Sequence, residues 1–212
     1  MPNAVSSFVG SLFIVTAPSG AGKTSLVKAL VEKTAGLQVS VSYTTRKPRP
    51  GEQDDVHYHF VDVPGFERMI AQGVFLEHAK VFENYYGTSR EKVAEKLQHG
   101  VDLILEIDWQ GAQQVRKYFS NAVGIFVLPP SRAVLEQRLR NRKTDSDEVI
   151  NRRLRDAVSD MSHYAEFEFV VVNDDFETAL LDLQALVAAQ KLRLSASQHR
   201  LAPLLADLLA QS

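Results

Sequence analysis

Residues 17–24 of this 212-residue chain are Ala17, Pro18, Ser19, Gly20, Ala21, Gly22, Lys23 and Thr24, set between an apolar run and the start of a helical pattern. These types in this order suit phosphate binding. Gly20 and Gly22 can take backbone angles closed to other residues, so successive N–H groups turn inward around an anion, and the helix that follows adds its positive end. Lys23 is then placed to reach the β and γ phosphates of a nucleotide, and the Thr24 hydroxyl to hold Mg²⁺. The general pattern G-x-x-x-x-G-K-[ST] lacks its first glycine here, and Ala17 is tolerable in that place if its φ stays negative. A glycine-rich turn with a solvated lysine is the bland alternative, disfavoured because strand, loop and helix all come in order.

Other groups suit the same chemistry. Arg46 and Arg49 lie three apart on a loop stiffened by Pro48 and Pro50. Guanidinium forks bind phosphate bidentately, and Tyr58 and Tyr86 can donate phenol hydrogen bonds beside them, so a second phosphate site is expected. Glu106 and Asp108 close a nearly all-apolar run, at the strand end where open α/β sheets bind ligands. Arg138, Arg140, Arg142, Arg152, Arg153 and Arg155 crowd one segment. Most are explained as solvated, but one or two could carry charge to a transferring phosphoryl group. His57, His59 and His78 have no carboxylate or cysteine spaced to complete a zinc site, so none is assigned.

The elements that must position these groups follow from periodicity. A strand leads into the loop, and a helix with one face of Leu26, Val27, Leu30 and Val31 leaves it, stopped by Gly36. Residues 39–43 and 57–61 alternate as strands, 64–72 form a helix closed by Gly73, and 74–82 a strand holding Glu77. Residues 84–87 read as a turn, and Thr88 with Glu91 as a capping pair for a helix to His99. The pattern of a buried parallel sheet resumes at residues 101–107, followed by a helix over 109–118 and a strand over 124–128. A helix begun by Ser131 comes next, and Asp145 with Glu148 forms a second capping pair. A last strand spans 167–172, and a helix runs to about Leu194. Leu201, Leu204, Leu205, Leu208 and Leu209 make one apolar stripe on a terminal helix. Docking on its own domain is the favoured reading, and a homo-oligomer contact the alternative.

Composition sets the bounds. A domain of this length buries roughly 70% of its unfolded surface, so a single α/β unit needs no staples. There is no cysteine, which excludes disulfides and fits a reducing compartment. The formal charge of −2 gives no sign of a nucleic-acid binder. No run approaches the ~18 apolar residues of a membrane span, and no signal peptide is read, so a cytoplasmic protein is expected.

Together the motifs closely resemble those of the bacterial guanylate kinase family. The resemblance runs from about residue 11 to 194. It rests on the loop above, on Val-Ser-Tyr-Thr-Thr-Arg-Lys-Pro-Arg-Pro-Gly-Glu at 41–52, Phe-Leu-Glu-His-Ala at 75–79, Asn-Tyr-Tyr-Gly-Thr at 84–88, Glu-Ile-Asp-Trp-Gln-Gly at 106–111 and Val-Asn-Asp-Asp at 172–175. It implies one α/β domain with a phosphate-loop core (11–41, 94–133, 157–194), a parallel sheet flanked by helices. An inserted mixed α/β segment for GMP (42–93), a helical lid (134–156) and a helical tail (195–212) complete it. The implied reaction is transfer of a phosphoryl group from ATP to GMP with Mg²⁺. By position, Ser42, Arg46, Arg49, Tyr58, Glu77, Tyr86, Thr88 and Asp108 resemble the GMP set. Lys23, Arg142 and Arg153 resemble the catalytic charges, and Asn173 lies at the adenine end of ATP. Asp55, Asn141 and Lys143 depart from the family, which often has glycine there. The rivals are a binding module that holds a phosphorylated partner, and a kinase for another phosphorylated acceptor.

Overall fold

The computed structural model describes residues 10–81, 83–141 and 146–210. The chain begins with β1 (Leu12–Thr16), α1 (Lys23–Lys33) and β2 (Leu37–Val39). An insertion follows: β3 (Tyr43–Thr44), β4 (His59–Phe60), α2 (Val63–Ala71), β5 (Phe75–Val81), β6 (Asn84–Ser89) and α3 (Arg90–Gln98). Then come β7 (Asp102–Glu106), α4 (Trp109–Arg116), β8 (Val123–Leu128), α5 (Arg132–Asn141), α6 (Asp147–Met161), β9 (Phe169–Val172), α7 (Phe176–Leu192) and α8 (Leu194–Leu208). The first sheet has the order β2-β7-β1-β8-β9 and every pairing in it is parallel. The second runs β4-β3-β6-β5 and is mixed.

β1 is apolar throughout its first four residues because both of its faces are covered. Successive side chains point to opposite faces of a strand. Phe13 and Val15 therefore pack with Leu26 and Leu30 of α1 and Leu180 and Leu183 of α7. Leu12 and Ile14 pack on the other side with Val93 and Leu97 of α3 and Val115 of α4. α5 and α6 form a smaller unit closed by Leu135, Leu139, Ile150 and Ala157.

Five expectations change. Residues 39–43 are not one strand: β2 ends at Val39 in the first sheet and β3 starts at Tyr43 in the second, and alternation alone cannot show a change of partner. Residues 84–87 are part of strand β6, not a turn. Gly87 is there for packing, since a Cβ on it would come 2.9 Å from the Phe75 ring and 3.0 Å from that of Phe66. The cap of α3 is Ser89, accepting from the Lys92 N–H at 3.4 Å, and Thr88 is in the strand before it. At α6, Ser146 accepts from the Val149 N–H; Asp145, expected as the cap, lies outside the described residues. Finally, the tail stripe is not docked. Leu204, Leu205 and Leu208 are 53%, 40% and 66% exposed, while Ser197 of the same helix is buried.

Candidate active site

The loop between β1 and α1 takes the shape its glycines permit. Gly20 and Gly22 both sit at φ +96°, and Ala17 keeps a negative φ as required. Gly22 is needed twice over, because a Cβ on it would meet the Asn173 Nδ2 at 2.3 Å. Asn173 lies beneath the loop, 4% exposed, and donates from that nitrogen to the Ala21 carbonyl at 2.7 Å. Arg138 donates to the Asn173 carbonyl at 3.0 Å, tying the last turn of α5 to the same point. No side chain caps the N-terminus of α1, so its first turn presents bare N–H groups toward the loop. The Lys23 ammonium donates to the Ile107 carbonyl at 3.3 Å. Burial lowers its pKa, opposed by the charges of Glu106, Asp108, Asp160 and Glu77. The Thr24 hydroxyl donates to Glu106 Oε2 at 3.1 Å.

A cleft of about 490 Å³ opens in front of this loop. Of the residues singled out in the sequence, Ser19, Lys23, Ser42, Tyr58, Glu77, Tyr86, Asp108 and Arg153 line it. Glu77 is 5% exposed, an unusual place for a carboxylate unless it has a function or a partner. Thr88 donates to its Oε1 at 2.6 Å, and Thr88 in turn lies 3.4 Å from the Ser42 hydroxyl. Burial pushes the Glu77 carboxyl up to about 7; the Thr88 bond opposes the rise and the charge of Asp108 adds to it. Asp108 caps α4 by accepting from the Gly111 N–H at 2.7 Å, which fixes it at the mouth of β7.

The basic loop is ordered by its own ion pair. Arg46 grips Glu52 with bonds of 2.8 and 2.9 Å and donates to the Lys47 carbonyl, which holds its guanidinium 5.4 Å from the centre of the Tyr58 ring. The bond from Arg46, with one from the Arg49 N–H, holds the Glu52 carboxyl down at about 2. Arg49 is exposed and does not line the cleft, and Arg142 and Lys143 lie outside the described residues. Asp55 departs from glycine yet keeps a glycine-like φ of +62°; its carboxylate is bonded to His59 Nδ1, and His59 Nε2 lies 2.9 Å from the Lys92 ammonium.

Glu106 lines the cleft as well, and so do two acidic residues not singled out in the sequence, Asp156 and Asp160. Glu106 was legible as half of the strand-end pair with Asp108. Asp156 and Asp160 follow Arg153 at helical spacing, so all three share one face of α6. Burial, then the charges of Asp108 and Asp156, raises the Asp160 carboxyl, while a bond from the Trp109 side chain lowers it. Trp109 also stacks on His163 with ring centres 3.5 Å apart, joining the foot of α6 to the start of α4.

A parallel sheet with an anion loop at its centre, a lysine in that loop and a second basic loop across the cleft define a nucleotide-dependent phosphoryl transferase of the phosphate-loop class. The comparisons with known proteins narrow the class. Residues 10–190 match the family model for guanylate kinase. The guanylate kinase of Chromohalobacter salexigens is 60% identical over 95% of this chain and 94% of its own. That of Escherichia coli (strain K12) is 55% identical over 95% and 98%. The crystal structure of guanylate kinase from Anaplasma phagocytophilum superposes with a TM-score of 0.71 at 31% identity, covering 90% of this chain and 92% of that one. The chain belongs to the guanylate kinase family.

Proposed function

We propose that this chain transfers the γ-phosphoryl group of ATP to GMP, giving ADP and GDP, with the donor phosphates on the Gly20–Lys23 loop and the guanine against Glu77. The observation that carries this reading is a buried carboxylate, Glu77, facing the same cleft as the loop lysine. Guanine offers two adjacent donors, N1–H and the 2-amino group, which one carboxylate accepts together, while Ser42 or Thr88 can donate to O6. Adenine has no such pair.

The acceptor needs no general base. A nucleoside monophosphate has a second pKa near ~6, so it arrives as an anion, and positioning with charge neutralisation carries the transfer. Tyr58 and Tyr86, which line the cleft, would hold the GMP phosphate with Arg46 beside the Tyr58 ring, Arg49 joining them only by moving in from its exposed position, and Lys23 reaches toward the group in flight. Thr24 and Glu106 are the oxygen pair that would hold Mg²⁺, as hard oxygens suit it. That ion, bound with ATP, neutralises charge on the β and γ phosphates. Asn173, expected at the adenine end, serves the donor site from beneath the loop, through its bond to the Ala21 carbonyl. Work on these two nucleotides fits a cytoplasmic location. Among the described residues no helix is long and apolar enough to cross a membrane.

Residues 134–156 act as a lid, excluding water that could otherwise take the phosphoryl group. Arg153 faces the cleft from α6, so Arg153→Ala is expected to lower kcat by on the order of 10²-fold with little change in KM for GMP. Steady-state kinetics decide it: a rise confined to KM for GMP would move Arg153 to ground-state binding. The function as a whole is tested by coupled ADP release with GMP, dGMP, AMP, UMP and CMP as acceptors. Turnover with GMP and dGMP far above the rest is the expected result.

A further inference from the structure

β5 carries Glu77 and is the edge strand of the second sheet, paired with β6. An edge strand presents backbone N–H and C=O groups with no ladder partner. At His78, the residue after Glu77, one side chain takes both. Gln114 of α4 accepts from the His78 N–H through Oε1 at 3.2 Å and donates to the His78 carbonyl through Nε2 at 3.2 Å. A carboxamide used in this way stands in for a one-residue strand, and its two bonds fix the rotation of that residue's backbone as well as its distance.

The other side of Glu77 is held differently. Leu76 is 2% exposed among Leu12, Ile14 and Val93 of the core, at the place where β5 slips register between Phe75 and Glu77. Such a bulge re-aims a side chain. Glu77 therefore stands between an apolar anchor and a polar one, and its carboxylate lies against the first turn of α4. A Cβ on Gly111 would come 3.2 Å from Glu77 Oε2 and 3.3 Å from Asp108 Oδ1. Gly111 and Gln114 are one turn apart on the same helix face. His78 and Gln114 also line a hollow of about 280 Å³, so at His78 itself the two hydrogen bonds are what add to the apolar contact that Leu76 makes with Ala112 and Val115 of α4.

We infer that Gln114 is a positioning residue for base recognition: by clamping the backbone at His78 it sets the Glu77 carboxylate to meet guanine N1–H and the 2-amino group together. The role rests on the assignment of Glu77 to guanine, and Gln114 itself touches no substrate. Without the clamp, Leu76 and the pairing with β6 still hold the strand, but its outer edge at His78 loses the two bonds that fix the backbone there against α4. A two-point contact suffers more from that loss than a one-point contact.

IMP supplies the comparison, because it lacks the 2-amino group and can give Glu77 only N1–H. Gln114→Met keeps the length of the side chain and removes both bonds. The expected result is a rise of about tenfold in KM for GMP, with KM for ATP and kcat at saturating GMP near those of the parent, and a fall of about tenfold in the preference for GMP over IMP in kcat/KM. Equal losses on GMP and IMP, or no loss, would overturn the proposal and leave Gln114 a packing residue. Should Gln114→Met fail to fold, Gln114→Glu gives the same reading. It keeps the acceptor for the His78 N–H but turns a carboxylate oxygen on the His78 carbonyl, and parent-like preference in that enzyme overturns the proposal equally. A parent enzyme indifferent to the 2-amino group would sink the Glu77 assignment, and the positioning role with it.

Discussion

Lys23→Ala is expected to lower kcat by on the order of 10² to 10³ or more while the melting curve of the nucleotide-free protein stays close to that of the parent. Among the described residues the lysine belongs to no apolar cluster, and its ammonium's bond to the Ile107 carbonyl, at 3.3 Å, is a resting position at the floor of the cleft. Its charge lies among Glu106, Asp108, Asp160 and Glu77. On the proposed function, removing it takes away the cation that meets the β and γ phosphates and leaves a carboxylate-rich cleft that would repel them. Activity measured beside the melting curve separates this from unfolding. Near-normal turnover with unchanged melting would mean that the donor phosphates are held elsewhere.

Glu77→Gln should have the second large effect. The Thr88 hydroxyl can still donate to the amide oxygen, so the strand is held as before, but one acceptor becomes a donor facing a donor of guanine. A lost bond with an unpaired buried group costs a few kcal/mol, so kcat/KM for GMP is expected to fall by roughly 10²-fold or more, with KM for ATP little changed and the gap between GMP and AMP narrowed. Proton linkage gives an independent reading of the same carboxyl. Its pKa in the nucleotide-free protein, about 7, lies above the ordinary 4.5, so folding holds this proton. The stabilising share is full below about 4.5 and is lost as pH rises through about 7. Guanine needs the anion, so KM for GMP should rise as pH falls from about 8 to about 6, and the rise should vanish in Glu77→Gln. A pH profile identical in the two enzymes would show that the purine is read by another group, Asp108 first among them.

The phosphate loop was legible because its chemistry is local: small residues, lysine and hydroxyl must be consecutive, and a strand and helix must flank them. The ends of β7 and the caps at Asp108 and Ser146 differ in this respect. Asp108 could be placed at a strand end by the apolar run before it, whereas Ser146 was passed over because Asp145 and Glu148 offered an equally good capping pattern. Gly87 misled for a related reason, since a glycine beside asparagine and tyrosines signals a turn unless one knows that the Phe66 and Phe75 rings press on it. Gln114 could not have been found at all. Its partner is a backbone on another element, and backbone groups leave no mark in a sequence. The exposed leucines of α8 show the limit of periodicity, which reports that a face is apolar but not what covers it.

The strand order has a consequence for how the protein is made. β1 lies between β7 and β8, both of which follow it in the chain beyond the whole insertion, and β2 reaches it only through β7. During synthesis its apolar residues must wait, unpaired, until β7 has left the ribosome. Closing that loop costs entropy before any contact repays it, so assembly of the central sheet should be slow compared with that of a fold built from neighbours. The support of the phosphate loop comes later still, with Asn173 after β9. Chains truncated before β7, and those ending between β8 and β9, which lack both Asn173 and the α7 face that covers Phe13 and Val15, are therefore expected to be digested readily by protease and to gain no protection from ATP; protection by ATP in either would show that the loop organises itself.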